Sequence, residues 1–282
     1  MWKLLKLILW VIPPVLLAGA VGLFLWYKKD IYQKEQKLGK EIKELRAAPA
    51  EKYDFGMEKF DQALAMMRDG KLEDGRGALL NMLRFHRDSA RAQDAMRLLG
   101  QINLDKLFAP EANLPGKKRI EVGRGDSINK ITANNQTTYQ FLVKVNGLTR
   151  PEAIHPNDQL WVYPLNFRVL IDLRKKQLIL MDGEYFFAWF PILDVRRPPG
   201  AKVPAKETIA NKFGVLAGKR TTLTAEDALM AEKWIEIGKE WAIRSVAAGT
   251  SPSPGFGIFL SDADVDDLVA ILRTGNSVEI NP

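Results

Sequence analysis

From Leu7 to Tyr27 the chain runs for 21 residues without a charged side chain, with Lys3 and Lys6 before the run and Lys28 and Lys29 after it. A helix that is apolar on every side must lie deep in a large core or in lipid. At ~1.5 Å per residue this one spans the ~30 Å hydrocarbon layer of a bilayer. Trp26 and Tyr27 stand at one edge, where amphipathic rings favour the interface. Pro13 and Pro14 add a kink that lipid-embedded helices tolerate. Ala18-Gly19-Ala20 has the small-x-small form of a signal-peptide cleavage site. The apolar run continues through Val21–Tyr27, so residues 1–29 read as an uncleaved, single-pass signal anchor, with cleavage as the other reading.

A formal net charge of +7 invites a nucleic-acid reading until it is divided along the chain. Residues 1–50 hold 9 Lys+Arg against 4 Asp+Glu, residues 51–117 hold 11 against 11, residues 118–164 hold 6 against 4, and residues 165–282 hold 15 against 15. Most of the excess flanks the uncharged run, as in membrane proteins. No folded part has the basic asymmetry that duplex binding needs, so no nucleic acid is expected. The 282 residues contain no cysteine, which excludes disulfides, thiolate metal sites and a cysteine nucleophile. His86 and His155 are the only histidines, so neither a histidine-rich metal site nor a cofactor is expected.

Residues 30–112 read as a helical spacer. A polar stretch over 30–46, rich in Lys, Glu and Gln, ends at Ala48-Pro49-Ala50. Three apolar-periodic segments follow. The first carries Tyr53, Met57, Phe60, Leu64 and Met67. The second carries Leu72, Leu79, Leu80, Leu83 and Phe85, and the third Ala92, Met96, Leu99, Ile102 and Leu107. The stretch from Asp69 to Leu80 loosely resembles a tetratricopeptide-type helix pair, but one unit cannot build a solenoid. His86 reads as a capping or surface residue. Pro110, Pro115 and Gly116 mark a linker.

Residues 118–164 carry the clearest local pattern. Arg119-Ile120-Glu121-Val122 alternates like a strand, and Gly123–Ser127 turns. Asp126 or Ser127 caps a helix through Ile128 and Ile131, and Thr137 or Thr138 caps a second through Phe141, Leu142 and Val145. Asn146-Gly147 suits a left-handed helix stop. Ile154-His155-Pro156-Asn157 turns into a closing strand, Gln159–Tyr163. Gly125-Asp126-Ser127, Thr137-Thr138, Asn146-Gly147-Leu148 and Ile154-His155-Pro156-Asn157, in this order, resemble the LysM family of carbohydrate-binding modules. Asn157 stands where the family has glycine, and Asn tolerates positive φ. The resemblance implies a βααβ module that binds peptidoglycan or another N-acetylglucosamine-containing glycan. It places the sugar in a shallow groove between Gly125, Asp126, Ser127 and Ile128 on one side and Ile154, His155, Pro156 and Asn157 on the other.

Residues 166–282 read as mostly β. Phe167–Leu173 and Gln177–Met181 alternate, Asp182-Gly183 makes a hairpin turn, and Tyr185–Ile192 is a further strand. Lys212–Leu216, Trp241–Ser245 and Ser277–Ile280 add strands. Asp262–Leu272 is helical with Val265, Leu268 and Ile271 on one face. The order is similar to that of the L,D-transpeptidase (YkuD-type) catalytic domain. Leu170-Ile171-Asp172-Leu173 with Leu178–Gly183 matches its opening hairpin, and Thr208–Val215 its next motif weakly. Aligned back from Asp264-Val265-Asp266-Asp267-Leu268, the catalytic motif falls on Pro254–Leu260.

That alignment implies a degenerate site. Gly257 stands at the nucleophilic cysteine, Gly255 at the motif histidine, Phe259 at its arginine, and the upstream histidine falls near Arg244. Acyl transfer of this kind needs a thiolate beside a basic imidazole. Ser253 or Ser261 as a replacement nucleophile would have no histidine in this domain. Asp262, Asp264, Asp266 and Asp267 stand where carboxylates cap a helix and favour its dipole. Arg196-Arg197-Pro198-Pro199-Gly200 reads as a loop and a possible partner contact, and Trp189, Trp234 and Trp241 as core.

The expected protein is therefore α+β and multidomain, with a transmembrane helix, a small helical bundle, a LysM module and a mostly-β L,D-transpeptidase-like domain. It is expected in a bacterial cytoplasmic membrane with its distal domains in the periplasm or outside. There it would bind peptidoglycan noncovalently as a pseudoenzyme scaffold, with an envelope protein as a further expected partner. The alternatives are an active transpeptidase or hydrolase with a substituted nucleophile, or an assembly subunit whose glycan groove is vestigial.

Overall fold

The computed structural model describes residues 53–148, 154–223 and 230–282, together with scattered helical residues between 21 and 43. The chain divides into a unit over Met1–Tyr53 and a second over Asp54–Pro282. In the first, Val21, Gly22, Phe24, Leu25 and residues 27–29 are helical. Most of the expected anchor, and the break at Ala48-Pro49-Ala50, lie outside the described residues. Among the described residues no helix is long and apolar enough to cross a membrane.

The second unit begins with three helices, α1 (Phe55–Arg68), α2 (Leu72–Phe85) and α3 (Ala92–Phe108). Asp54 caps α1, accepting from the amides of Gly56 and Met57, and also accepts from Ser89 Oγ at 2.9 Å and Ala90 N at 2.8 Å. One carboxylate thus ties the start of α1 to the turn before α3. His86 is the C-cap residue of α2. The buried face differs from the periodic reading. Phe60, Ala63, Leu79, Met82, Leu83, Ala92, Ala95 and Leu99 form the bundle core, whereas Tyr53, Met57, Leu72 and Phe85 are exposed. Those four lie at or near helix ends, where no neighbouring helix covers them, so their spacing alone overstates the stripe.

The 118–164 region follows as β1 (Lys118–Glu121), α4 (Ile128–Asn134), α5 (Tyr139–Asn146) and β2 (Gln159–Val162). Strands β1 and β2 pair antiparallel, with Arg119 opposite Trp161. Ser127, rather than Asp126, caps α4, and Thr138, rather than Thr137, caps α5. Gly147 stops α5 at φ +61°.

The remaining strands are β3 (Phe167–Asp172), β4 (Gln177–Asp182), β5 (Tyr185–Pro191), β6 (Asp194–Arg196), β7 (Ala205–Leu216), β8 (Lys219–Thr221), β9 (Glu232–Ile237), β10 (Trp241–Val246), β11 (Gly257–Ser261) and β12 (Ser277–Asn281), with helix α6 (Asp262–Ile271) before the last. They form one 10-stranded sheet in the order β5-β4-β3-β12-β7-β9-β10-β11-β6, with β8 beside β7. The long strand β7 pairs with β12 through its first half and with β9 through its second, across a bulge between Ile209 and Asn211. Strand β9 carries the period-2 burial of a sheet with one covered face, and all six residues of β10 are buried.

The three regions share a core. Leu104 and Leu107 of α3, Phe141 and Val145 of α5, and the inward residues of the sheet and α6 belong to one hydrophobic cluster. Lys144 of α5 reaches Asp267 of α6 at 2.5 Å, and Thr138 Oγ1 donates to the Ala270 carbonyl. At the other end of the sheet α3 lies against β5. Buried Asn103 donates to the Phe187 carbonyl at 2.8 Å and accepts from Arg76 Nε at 2.7 Å. Gly100 makes this approach possible, because a Cβ there would sit 3.0 Å from Trp189 N and 3.2 Å from Ala188 Cα.

Gly100→Leu is accordingly expected to destabilise the protein by about 1–3 kcal/mol through overpacking. Gly77→Ala, in open space on α2, is expected to stabilise it by up to about 1 kcal/mol through helix propensity. Urea titration of both variants checks the pair. Equal midpoints would mean that α3 is not seated on β5.

Candidate functional site

Two places bring the singled-out residues together. The first is the rim of the 118–164 region. Val122 stands between its two loops, donating from its amide to the Asp158 carbonyl at 2.9 Å and accepting from Asn157 N at 2.8 Å. These two bonds tie the turn before β2 to Val122, the residue from which the Gly123–Ser127 turn leads. Gly125 and Asn157 take φ of +77° and +74°, the left-handed turn conformation for which Gly and Asn are suited. Asp126 accepts from Gly123 N at 2.9 Å and pairs with Lys130 at 2.7 Å. The Lys130 ammonium, with the Gly123 amide, holds its carboxyl below the usual carboxylate range. His155 and Pro156 are exposed, and Ile154 is half-buried. The Ile128 side chain instead lies in the module core with Leu142 and Leu160, so only its backbone can serve the rim. Exposed backbone groups and small polar side chains of this kind match the hydroxyl and acetamido groups of amino sugars.

The second place is a row across β7, β9, β10, β11 and β6. The register sets Phe213 beside Trp234, Trp234 beside Arg244, and Arg244 beside Phe259. The Arg244 guanidinium lies 4.0 Å from the Trp234 ring centroid and 4.9 Å from that of Phe259. Arg196 covers Phe259 at 4.9 Å, and Arg220 covers Phe213 at 4.0 Å. Phe213 and Trp234 stack at 5.9 Å, Arg244 lies between Trp234 and Phe259, and Arg220 of β8 and Arg196 of β6 flank the row, each arginine contact of a kind that is strengthened by desolvation.

Arg244 is 2% exposed, and its donors are occupied. Nε donates to Glu232 Oε1 at 2.8 Å, Nη1 to the carbonyls of Pro254 and Phe256 at 3.1 and 3.2 Å, and Nη2 to Ser253 Oγ at 2.5 Å. The Ser253 hydroxyl donates in turn to Glu232 Oε2 at 2.9 Å. The arginine side chain fills the space over both glycines. A Cβ at Gly255 would sit 3.0 Å from Arg244 Nη1, and one at Gly257 would sit 2.8 Å from Arg244 Cδ and 3.0 Å from the Ala242 carbonyl oxygen. Their φ angles, +108° and +148°, also disfavour a side chain. Gly255, Gly257, Phe259 and Arg244 therefore form one cluster, with Glu232 and Ser253 as its polar partners.

Glu232 does not stand out in the sequence, because Glu232–Ile237 mixes charged and apolar residues without a plain strand pattern. The signal was Arg244 itself, an arginine inside the apolar run Trp241–Val246 that needs a carboxylate close by. The acidic cluster resolves into separate roles. Asp262 and Asp266 pair with buried Lys233 at 2.9 and 3.1 Å, Asp264 accepts from Ser261 Oγ at 2.6 Å, and Asp267 pairs with Lys144. Ser261 caps α6. Trp241 is buried, while Trp189 and Trp234 are half-buried.

Residues 120–162 match the LysM domain family model. No curated protein matches the chain. Solved structures similar to it include an L,D-transpeptidase from Stackebrandtia nassauensis, at 16% identity and TM-score 0.31, over 42% of this chain and 56% of that one. An L,D-transpeptidase from Mycobacterium smegmatis is similar at 10% identity and TM-score 0.31, over 42% and 59%. A fused Zn-dependent amidase/peptidase/peptidoglycan-binding domain-containing protein from Clostridium acetobutylicum is similar at 8% identity and TM-score 0.31, over 41% and 51%. The matches span between half and three fifths of these three structures. TM-scores of 0.31 establish no shared fold, and the β region is judged on its own residues.

Proposed function

We propose that this protein is a non-catalytic component of the bacterial cell envelope that holds peptidoglycan through its LysM domain. The observation that carries the reading is the LysM match over residues 120–162, with the Ile154–Asn157 turn tied to Val122 beside the Gly123–Ser127 turn. The uncharged run Leu7–Tyr27 supports a tether in the cytoplasmic membrane, with the LysM and β regions outside the cytoplasm. The β region keeps the frame of an L,D-transpeptidase motif around Gly255 and Gly257, but Arg244 occupies the space a thiol and imidazole would need. Ser253 is a poor substitute, because Glu232, the carboxylate to which its hydroxyl donates, is bound to Arg244. The β region then serves as the scaffold on which α5 of the LysM domain is seated.

The test is sedimentation of the whole chain, in detergent micelles, with insoluble peptidoglycan. An excised module would expose Phe141 and Val145, so the whole chain is the proper reagent. A shallow rim desolvates few ligand atoms, so Kd is expected at about 10–1000 μM, or roughly 4–7 kcal/mol. Ile154→Asp should weaken binding several-fold by placing a charge on the apolar part of the rim. Glu121→Gln, outside both loops, should change little. A folded chain that stays in the supernatant while the wall pellets at millimolar glycan would sink wall binding and favour the protein-assembly alternative.

A further inference from the structure

The loop between β6 and β7 carries the run Arg197-Pro198-Pro199-Gly200, which neither the LysM rim nor the Arg244 cluster uses. It folds around a concavity of about 650 Å3 whose lining residues, 197–204, all come from the loop itself. That size falls among small-ligand sites, roughly 300–1,000 Å3. Pro198, Pro199, Val203 and Pro204 give it apolar walls, and Arg197 and Lys202 are its charged groups. No acid stands among the lining residues.

The shape of the loop is held by its own bonds. Ala201 N donates to the Pro198 carbonyl at 3.2 Å across a turn with Pro199 and Gly200 at its centre. Gly200 takes a φ of +79°, as the second central position of a type II turn requires. Arg197 Nε donates to the Ala201 carbonyl at 2.9 Å, and Nη2 donates to the same oxygen. Ala201 is buried, and Val203 packs against the main core, so the loop is anchored from beneath. A loop fixed in this way loses little freedom when a ligand enters.

Both cations keep their charge for a ligand. The Ala201 carbonyl orients the Arg197 guanidinium without neutralising it, and Nη1 bonds to nothing among the described residues. Lys202 is exposed, and neither it nor Arg197 pairs with a carboxylate among the described residues. Arg196, one residue earlier, differs: it is bound to Asp194 and to the Ser253 carbonyl, and belongs to the Arg244 cluster.

We propose that this loop is a binding site for the free carboxyl terminus of a short peptide with small apolar side chains. Arg197 Nη1 and Lys202 Nζ bond the carboxylate, and the prolines and Val203 cover the methyl groups beside it. Inorganic phosphate satisfies the cations but leaves the apolar walls bare. An amidated terminus suits the walls but leaves the cations unanswered.

The experiment is ligand-observed NMR titration of the whole chain, in uncharged detergent micelles, with N-acetyl-alanyl-alanine, its C-terminal amide and inorganic phosphate. The free acid should bind with a Kd of about 1 mM, and at least about tenfold tighter than the amide, as expected for one added charge-assisted bond. Lys202→Gln should weaken the acid several-fold and leave the amide unchanged, and Lys202→Glu should bring acid and amide to within about twofold. Lys202 is exposed and makes no bond in the fold, so neither change threatens folding. Lys71→Gln, an equal change of charge at the exposed start of α2, should alter nothing. Equal binding of acid and amide, or equal losses from Lys202→Gln and Lys71→Gln, would overturn the site. Phosphate binding as tightly as the peptide acid would overturn its selectivity for a peptide terminus. None of these outcomes bears on glycan binding at the rim.

Discussion

Arg244→Ala is expected to lower the unfolding free energy by about 3–5 kcal/mol, the cost of breaking a buried charge pair from one side. Three losses add in the same direction. Glu232, whose side chain is only 20% exposed, keeps a charge without its partner. The carbonyls of Pro254 and Phe256 and the Ser253 hydroxyl lose a common donor. Trp234 and Phe259 lose the flat cation packed against their rings. Out of a typical domain stability of about 5–15 kcal/mol, such a loss leaves little margin. Arg244→Lys should recover only a small part, because an ammonium cannot reproduce a planar fork that bonds Glu232, Ser253 and two carbonyls at once. Guanidinium-induced unfolding followed by tryptophan fluorescence reads all three proteins. A loss below about 1 kcal/mol for the alanine variant would show that the cluster adds nothing beyond filling space.

The LysM region was legible because its information is local. Its elements are set by caps and stops read within a few residues, namely Ser127, Thr138 and Gly147, and by the turn residues Gly125 and Asn157. The strands Phe167–Asp172 and Gln177–Asp182 were legible for the same reason, being a hairpin with alternating burial. What the sequence did not disclose is non-local. Strand β9 alternates Glu, Lys, Trp and Ile, and its inward lysine looks like a solvent-facing residue until Asp262 and Asp266 are brought to it from α6. The seating of α3 on β5 depends on Gly100 and Asn103, neither of which stands out in a helix read alone. The frame around Pro254–Leu260 pointed to Gly255, Gly257, Phe259 and Arg244, but not to Glu232, which comes from a different strand. Pairing across a sheet places residues far apart in sequence in contact, and single-chain periodicity carries no record of it.

Gly257→Cys restores the residue type that the motif frame implies, and it is expected to yield neither a stable protein nor an enzyme. The new Cβ would stand 2.8 Å from Arg244 Cδ and 3.0 Å from the Ala242 carbonyl oxygen. The first contact can yield through a side-chain shift. The second is backbone of the neighbouring strand and cannot. The backbone at φ +148° adds strain of about 1–3 kcal/mol for any side chain, and overpacking adds a similar amount. A loss of about 2–4 kcal/mol follows, since the two costs overlap. Combining it with Arg244→Ala should cost less than the sum of the two single changes by about 0.5–3 kcal/mol, because the alanine removes one of the two clashes. No turnover is expected with tetrapeptide donors in the single or the double variant. A thiol there has no imidazole in the β region to take and return a proton, and acyl transfer by a thiol depends on that partner. Cross-linked product from Gly257→Cys, or from the unmodified protein, would overturn the non-catalytic reading. Strict additivity of the two stability losses would show that Arg244 and position 257 do not compete for the same space.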